Sequence, residues 1–311
     1  MFYKNQTNWE RFQSYLPVSF QLSDDCLPNE YFLDWNNIKI HIDHYEHSNP
    51  KGTVIILHGV GGNGRLVSSI ALLLQQSGYE VICPDLPLYG NTQLPKNQSV
   101  SYQTWIECGC WLVKYFQGID RKVSLFGLSA GGLLAYQVAC ASENIFSVLL
   151  TCILDQRIPH VTESTALSPI VGKMSRIILP FTASLFPNFK IPMKFVGNMK
   201  AIVNNPELAR ILIADKRSSG AWVSLNFIYG MLNPVITIEP EEFDKCPILL
   251  VHPENDQWTD VSLSKLFFDK IYAKKQLVMI PEAGHFPIEE VGLNQMQSVC
   301  KQFLDSVYLN N

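Results

Sequence analysis

The sequence has no long apolar run, no excess of positive charge and no paired cysteine motif. No stretch of about 18 uncharged apolar residues occurs, so we expect no membrane span. Lysine and arginine number 24 against 28 aspartate and glutamate, a net charge of -4, which excludes the basic surface that nucleic-acid binding needs. The eight cysteines are scattered without a Cys-x-x-Cys pair, so we predict reduced, buried thiols.

The overall composition is typical of a compact globular protein. Hydrophobic residues make up 47% and charged residues 17% of 311, enough for a large core without a long disordered tail. The first twenty residues carry Lys4, Glu10 and Arg11 and lack the apolar core and cleavage site of a secretory signal. We therefore expect a cytoplasmic protein with a small-molecule ligand; the pattern indicates no oligomeric state.

Short apolar runs alternate with helical patterns along most of the chain. The run Asn37 to Tyr45 alternates with period two, which predicts a half-exposed antiparallel strand at a sheet edge. Continuous apolar runs, typical of strands covered on both faces, follow at Thr53–Leu57, Val81–Cys83, Val123–Phe126, Val148–Leu154, Ile248–Val251 and Leu277–Ile280. The alternation predicts an α/β fold with a mostly parallel central sheet flanked by helices.

This alternation stops between about Asp155 and Asp244. The stretch is rich in proline and carries apolar helical pieces such as Ile170 to Leu185. We predict a helical cap, residues 155–244, inserted after the sixth strand, with residues 1–154 and 245–311 forming the core. An independent second domain is the alternative.

A nucleophile motif follows the strand Val123 to Phe126. Gly127-Leu128-Ser129-Ala130-Gly131 is a G-x-S-x-G turn between a buried strand and a helix, which exposes the serine hydroxyl at the carboxyl edge of the sheet. A serine hydroxyl needs a base to take its proton, so a histidine held by an acid must accompany it. An ordinary serine in a glycine-rich turn is the alternative.

Among the histidines, His285 is the candidate base. It lies in a loop directly after the last core strand, at the sheet edge where catalytic side chains are usually found. His41, His44 and His47 are expected to be solvated residues of the edge strand, with no metal site, since His41 and His44 point to opposite faces. We expect structural roles for the histidines at positions 160 and 252.

The acid is expected in the loop after the preceding strand. That loop offers Glu254, Asp256 and Asp260, and we favour Asp256, with Asp260 second and Glu254 third. The chain order serine, acid, histidine is the one this type of turn predicts.

Two backbone amides should stabilise the charge that develops on a carbonyl oxygen. Ala130, directly after the nucleophile, is one candidate donor, and Val60 in the glycine-rich loop His58 to Arg65 is the other. The same glycines fit a dinucleotide-binding spacing, but no suitable acidic residue follows on a second strand and no P-loop lysine is present.

The chain resembles the α/β-hydrolase family, and within it the capped monoglyceride-lipase and lysophospholipase-type serine esterases. The matching motifs are L-H-G-V-G-G-N-G-R at Leu57–Arg65, P-D-L-P-L-Y-G at Pro84–Gly90, G-L-S-A-G at Gly127–Gly131, N-D-Q-W-T-D at Asn255–Asp260 and G-H-F-P at Gly284–Pro287. The resemblance implies hydrolysis of a carboxylic ester through an acyl-enzyme, with no metal or organic cofactor. Pro253 stands where the family often has glycine, which leaves Asp256 and its neighbours open as the acid.

The cap provides the only indication of substrate. Its large apolar side chains either line an acyl pocket or pack the cap onto the core; they are Met174, Ile177, Ile178, Phe181, Phe186, Phe189, Met193, Phe195, Trp222, Phe227, Tyr229 and Met231. An acyl ester such as a monoacylglycerol is the first substrate hypothesis. A lactonase acting on N-acyl homoserine lactones, hence a quorum-quenching enzyme, is the second, and a non-catalytic binding protein of hydrolase ancestry is the third.

Overall fold

The computed structural model describes residues 2–3, 6–118 and 121–309. A central sheet of eight strands carries the molecule; its strands are β1 Asn29–Trp35, β2 Ile38–Tyr45, β3 Thr53–Leu57, β4 Glu80–Pro84, β5 Val123–Gly127, β6 Ile145–Leu150, β9 Ile248–Pro253 and β10 Lys275–Ile280. Their spatial order is β1-β2-β4-β3-β5-β6-β9-β10. The pairs β1–β2 and β2–β4 are antiparallel, and every later pair is parallel.

Helices connect and cover these strands. They are α1 Thr7–Gln13, α2 Ser68–Gln76, α3 Tyr102–Gln117, α4 Ala130–Ala141, α9 Val261–Phe268 and α10 Glu290–Leu309. Strand β3 is buried on both faces: Ile55 and Leu57 pack in one apolar cluster, and Val54 and Ile56 pack in the other. The mostly parallel sheet flanked by helices confirms the predicted fold class.

The edge of the sheet differs from the prediction. The edge strand is β1, which the sequence analysis left unassigned, and β2 lies inside the sheet between β1 and β4. His41 is fully buried and His44 is half-buried against Glu80, so neither is a solvated edge residue. Period-two alternation marks polar side chains as outward-facing, but here charged partners from other segments cover that face.

Between β6 and β9 the chain leaves the sheet. This stretch contains α5 Pro159–Thr165, α6 Pro169–Leu185, α7 Pro206–Ala214 and α8 Leu225–Leu232. It also contains a short antiparallel pair, β7 Lys190–Pro192 and β8 Trp222–Ser224, which the sequence analysis did not predict. We call residues 155–244 the inserted segment. Each of these strands has only three residues, so a period-two pattern is too brief to detect in the sequence.

Candidate active site

Ser129 occupies the tight turn between β5 and α4. Its φ of 57° and ψ of -125° are rare for a residue with a side chain, and strain of this kind costs about 1–3 kcal/mol. The Ser129 N–H donates to Thr151 Oγ1 at 3.2 Å, which fixes the turn against the end of β6. A side chain at Gly131 would collide with the carbonyl oxygen of Leu57, so only glycine lets the turn approach β3.

His285 lies in the loop after β10 and is 2% exposed. Its Nε2 is 2.7 Å from Ser129 Oγ, and its Nδ1 is 2.8 Å from Asp256 Oδ2. A carboxylate can only accept, so Nδ1 carries the hydrogen and Nε2 is free to accept the serine O–H. The Trp258 ring packs on the imidazole at a centroid distance of 4.8 Å. The structure thus brings the three predicted side chains into one chain of hydrogen bonds.

The Asp256 carboxylate is held by its own loop. Asp256 Oδ1 accepts from the N–H groups of Trp258 and Thr259, both at 2.8 Å, and Oδ2 accepts from the Thr259 hydroxyl at 2.7 Å. Burial alone would raise the pKa of Asp256, but the electrostatic interaction and hydrogen bond with His285, together with the hydrogen bonds from Thr259, lower it to about 2. At neutral pH the carboxylate is therefore ionised and oriented toward the imidazole.

The two other acidic candidates lie apart from His285. Asp260 is exposed and caps α9, where it accepts from the Ser262 N–H at 2.8 Å. Glu254 is exposed at the end of β9. Of the three predicted acids, Asp256 is the one that the structure places against the imidazole.

The histidines at positions 160 and 252 differ in their exposure to solvent. The histidine at position 160 is exposed on α5. His252 is buried at the end of β9, and its Nδ1 donates to Thr151 O at 3.1 Å. Burial lowers the pKa of His252, so a neutral ring braces the residue that in turn holds the Ser129 turn. Thr151 and Thr259 are thus supporting residues that the sequence analysis missed, because single threonines in loops carry no motif.

Val60 and Ala130 both line the cavity that contains Ser129. Ala130 is the first residue of α4, so its N–H has no acceptor within the helix. A Cβ built on Gly59 would lie 2.8 Å from Ser129 Cβ and 3.0 Å from Ala130 N, so glycine is what lets the loop that carries Val60 come this close. Both predicted amide donors lie beside the serine, and their role in stabilising an oxyanion stays a prediction.

His58 supports the loop that carries Val60. Its Nδ1 donates to Gly59 O at 2.8 Å, and its Nε2 accepts from the Leu86 N–H at 2.9 Å. Burial lowers the pKa of His58 to about 4, so the ring stays neutral and keeps its acceptor nitrogen. The sequence analysis gave His58 no role, although its place between a buried strand and a glycine-rich loop was the available signal.

A cavity of about 360 Å³ adjoins Ser129, between the sheet edge and the inserted segment. Its lining is mostly apolar, and within the described part of the chain no charged side chain contributes to it. Five of the predicted apolar side chains line it: Met174, Ile178, Met193, Phe195 and Met231. Phe227 instead packs against the core, with its ring centroid 4.8 Å from that of Trp105.

A third group of apolar side chains neither lines the cavity nor packs on the core. These side chains are between 37% and 73% exposed: Ile177, Phe181, Phe186, Phe189, Trp222 and Tyr229. The sequence analysis allowed only pocket or core for them, and that choice was incomplete. Helical spacing shows which residues share a face, but it does not show whether anything covers that face.

The eight-stranded sheet, with a strained serine on the turn between β5 and α4, defines an α/β-hydrolase fold and confirms the resemblance found in the motifs. The family model of the serine aminopeptidases S33 matches residues 48–291. The chain belongs to that family of hydrolases.

Individual relatives are distant in sequence. Phospholipase YtpA of Bacillus subtilis (strain 168) is 24% identical over 228 residues, which cover 71% of this chain and 82% of that protein. A soluble variant of monoglyceride lipase from Saccharomyces cerevisiae has a TM-score of 0.73 at 20% identity, covering 94% of this chain and 98% of that one. The monoacylglycerol lipase of Paleococcus ferrophilus has a TM-score of 0.66 at 19% identity, covering 86% and 99%. Within the described residues, no helix has both the length and the apolar character to cross a membrane.

Proposed function

We propose that the chain is a serine esterase that hydrolyses carboxylic esters with an apolar acyl chain. The observation that carries this proposal is the hydrogen-bond chain from Asp256 through His285 to Ser129 beside an uncharged, mostly apolar cavity. Ester chemistry needs a deprotonated serine oxygen at the moment of attack, and the Nε2 of His285 is in position to take that proton.

The reaction then runs in two halves. Ser129 Oγ bonds to the ester carbonyl carbon while His285 takes its proton, and the N–H groups of Val60 and Ala130 stabilise the oxyanion. Collapse of this intermediate breaks the bond to the leaving alcohol, which receives the proton from His285. In the second half, water attacks the carbonyl carbon of the acyl-enzyme while His285 takes its proton. Cleavage of the bond to Ser129 Oγ, which receives that proton from His285, releases the carboxylic acid and the free serine. Asp256 stabilises the imidazolium in both halves.

The cavity supports an acyl ester over the other candidate substrates. A peptide with a free amino terminus would need a carboxylate to pair with its ammonium group, and no charged side chain of the described residues lines the cavity. The phospholipase and the two lipases reported above act, by their names, on lipids, which favours an acyl ester over an acyl lactone. The triad geometry supports an enzyme over a non-catalytic binding protein. In this proposal residues 155–244 form the cap that selects the acyl chain.

A fluorophosphonate probe tests the nucleophile. It attaches covalently to activated serines, so we expect labelling of the native protein and none of Ser129→Ala. Ser99→Ala, which removes an exposed hydroxyl outside the site, is the matched control and should label normally. Equal labelling of the native protein and Ser129→Ala would contradict the proposal.

A series of p-nitrophenyl esters of increasing chain length tests the acyl pocket. Each buried methylene contributes about 0.8 kcal/mol, so kcat/KM should rise up to about fourfold per added carbon until the cavity is filled and then fall. A profile without an optimum, in the same preparation that labels at Ser129, would remove the acyl pocket but leave the nucleophile in place.

A further inference from the structure

A group of buried charged and polar side chains lies behind the loop that carries Val60. We call it the charge cluster; its members are Tyr3, Glu30, His41, Asp43, Arg65 and Asp85. They come from the start of the chain, from β1 and β2, from the end of the glycine-rich loop and from the residue after β4. None of these six side chains touches the cavity beside Ser129. The ester chemistry described above does not use them.

Asp85 connects the cluster to the glycine-rich loop. Its Oδ1 accepts from the Gly64 N–H at 2.7 Å, and its Oδ2 accepts from the Asn91 N–H at 2.6 Å and from the Tyr3 hydroxyl at 2.9 Å. A Cβ on Gly90 would overlap the Asp85 carboxylate, so the backbone wraps directly around it. A fully buried carboxylate with this many donors is held in one orientation.

Arg65 makes the second connection, because it belongs to the loop itself. Its Nε is 2.5 Å from Asp43 Oδ2 and its Nη2 is 2.9 Å from Glu30 Oε1. The guanidinium also packs 5.0 Å from the Tyr3 ring centroid. The oxygens of Glu30 and Asp43 lie close enough to a ring nitrogen of His41 to hold a metal ion, but both carboxylates already pair with Arg65. The cluster therefore acts as an internal ion-pair network.

These contacts fix the loop on both sides of Val60. On one side His58 is tied to the Leu86 N–H, and on the other Gly64 is tied to Asp85. Both partners, Leu86 and Asp85, belong to the segment that follows β4. The short span of chain that carries Val60 is therefore held at both ends by that one segment. A donor to an oxyanion loses effect when it moves by a few tenths of an ångström, since its value lies in being placed before the charge develops.

We propose that the charge cluster positions the Val60 amide for the transition state, with Tyr3 and Asp85 as positioning residues. This inference rests on the proposed function, because it requires the Val60 N–H to act as an oxyanion donor. Tyr3 thereby acts on the reaction through the loop, although its side chain does not line the cavity beside Ser129.

The molecule supplies its own control for this proposal. A second histidine-carboxylate-arginine group surrounds the buried Glu80 at the start of β4: Glu80 is 2.9 Å from His44, 3.0 Å from Arg121 and 2.8 Å from the Thr53 hydroxyl. None of these contacts reaches the glycine-rich loop. Glu80→Gln should therefore reduce thermal stability and leave kcat unchanged.

The first test is kinetic and uses Tyr3→Phe, which removes one buried hydroxyl. We expect kcat for a p-nitrophenyl ester to fall about tenfold with KM within about twofold, since removing an entire oxyanion donor costs about 10²–10³. Asp85→Asn should lower kcat further, and the affinity for a trifluoromethyl ketone, which forms a tetrahedral adduct, should fall in parallel. An unchanged kcat in Tyr3→Phe, or an equal loss in Glu80→Gln, would overturn the proposal.

The second test needs no turnover. Amide hydrogen exchange of the peptide that covers residues 58–65 should be at least several-fold faster in Tyr3→Phe than in the native protein, and unchanged in Glu80→Gln. Unaltered exchange in Tyr3→Phe would refute the positioning role even if Asp85→Asn fails to fold. A native protein with the expected exchange pattern but no esterase activity would instead refute the proposed function, and would leave only the structural link between Tyr3 and the loop.

Discussion

The two sides of the cavity are built from different interactions. On the sheet side, the side chains of Ser129, Asp256 and His285 are almost fully buried, and each has a hydrogen-bond partner within 2.8 Å. On the side of the inserted segment, the lining is mostly apolar and includes residues of α6 and α8, and the outer surface of α6 exposes residues such as Ile177 and Phe181.

Hydrogen bonds have preferred directions and apolar contacts do not, so the two sides tolerate change differently. The sheet side permits one arrangement of three groups, which is what proton transfer requires. The inserted segment can change its side chains and still exclude water. Ser219 Oγ donates to Gly61 O at 3.2 Å and the Gly90 N–H donates to Arg217 O at 2.9 Å, so the inserted segment is attached to the glycine-rich loop and to the loop after β4.

The largest loss of activity should follow from removing one hydrogen bond on the sheet side, the one between Asp256 and His285. Asp256→Asn keeps the shape of the side chain but replaces an acceptor by an amide that can bind the wrong tautomer of His285. We expect kcat to fall about 10⁴-fold with KM little changed. Asp260→Asn, only four residues away, should alter kcat less than about threefold, because Asp260 caps α9 in solvent. Comparable losses in both variants, in steady-state kinetics, would make the acid assignment wrong.

The sheet side was also the part that the sequence could predict. Parallel strands have their carboxyl ends at one edge of the sheet. The order of strands along the chain therefore predicts that the G-x-S-x-G turn and the loops after the last two strands lie close together. The sequence could not predict which distant segments bury a given strand face. His41 lies in an alternating strand and was expected in solvent, yet Tyr3, Phe32 and Glu30 lie against its ring and bury it. No pattern within a strand reports which distant segment will cover it.

The second prediction compares a buried and an exposed phenylalanine of the inserted segment. Phe227 is fully buried and contacts Trp105, whereas Phe181 is 73% exposed. Phe227→Ala leaves a cavity and should lower the free energy of unfolding by about 3–5 kcal/mol, while Phe181→Ala should change it by less than about 0.5 kcal/mol. Thermal unfolding followed by circular dichroism measures both. Similar shifts for the two variants would mean that the outer face of α6 is covered in solution.

The smallest effect is a pH dependence confined to the sheet side. Burial alone would lower the pKa of His41, but Asp85 and Glu30 raise it to about 9. Because the folded-state pKa exceeds the unfolded value of about 6.5, the ion pairs of His41 contribute fully below that pH, and their contribution is lost as pH rises through about 9. Other buried groups titrate lower: burial raises the pKa of Asp43 to about 6, and burial lowers that of His58 to about 4.

Within the charge cluster, the window between about pH 6.5 and 9 therefore isolates the titration of His41, and its effect should be local. Hydrogen exchange, corrected for the intrinsic effect of pH, should show residues 58–65 losing protection across this window while α8, which has no titratable contact with the charge cluster, keeps it. In His41→Gln the loss over residues 58–65 should be absent, since no charge remains to titrate. Equal losses in α8, or a loss that persists in His41→Gln, would show that the two sides of the cavity respond to pH as one unit.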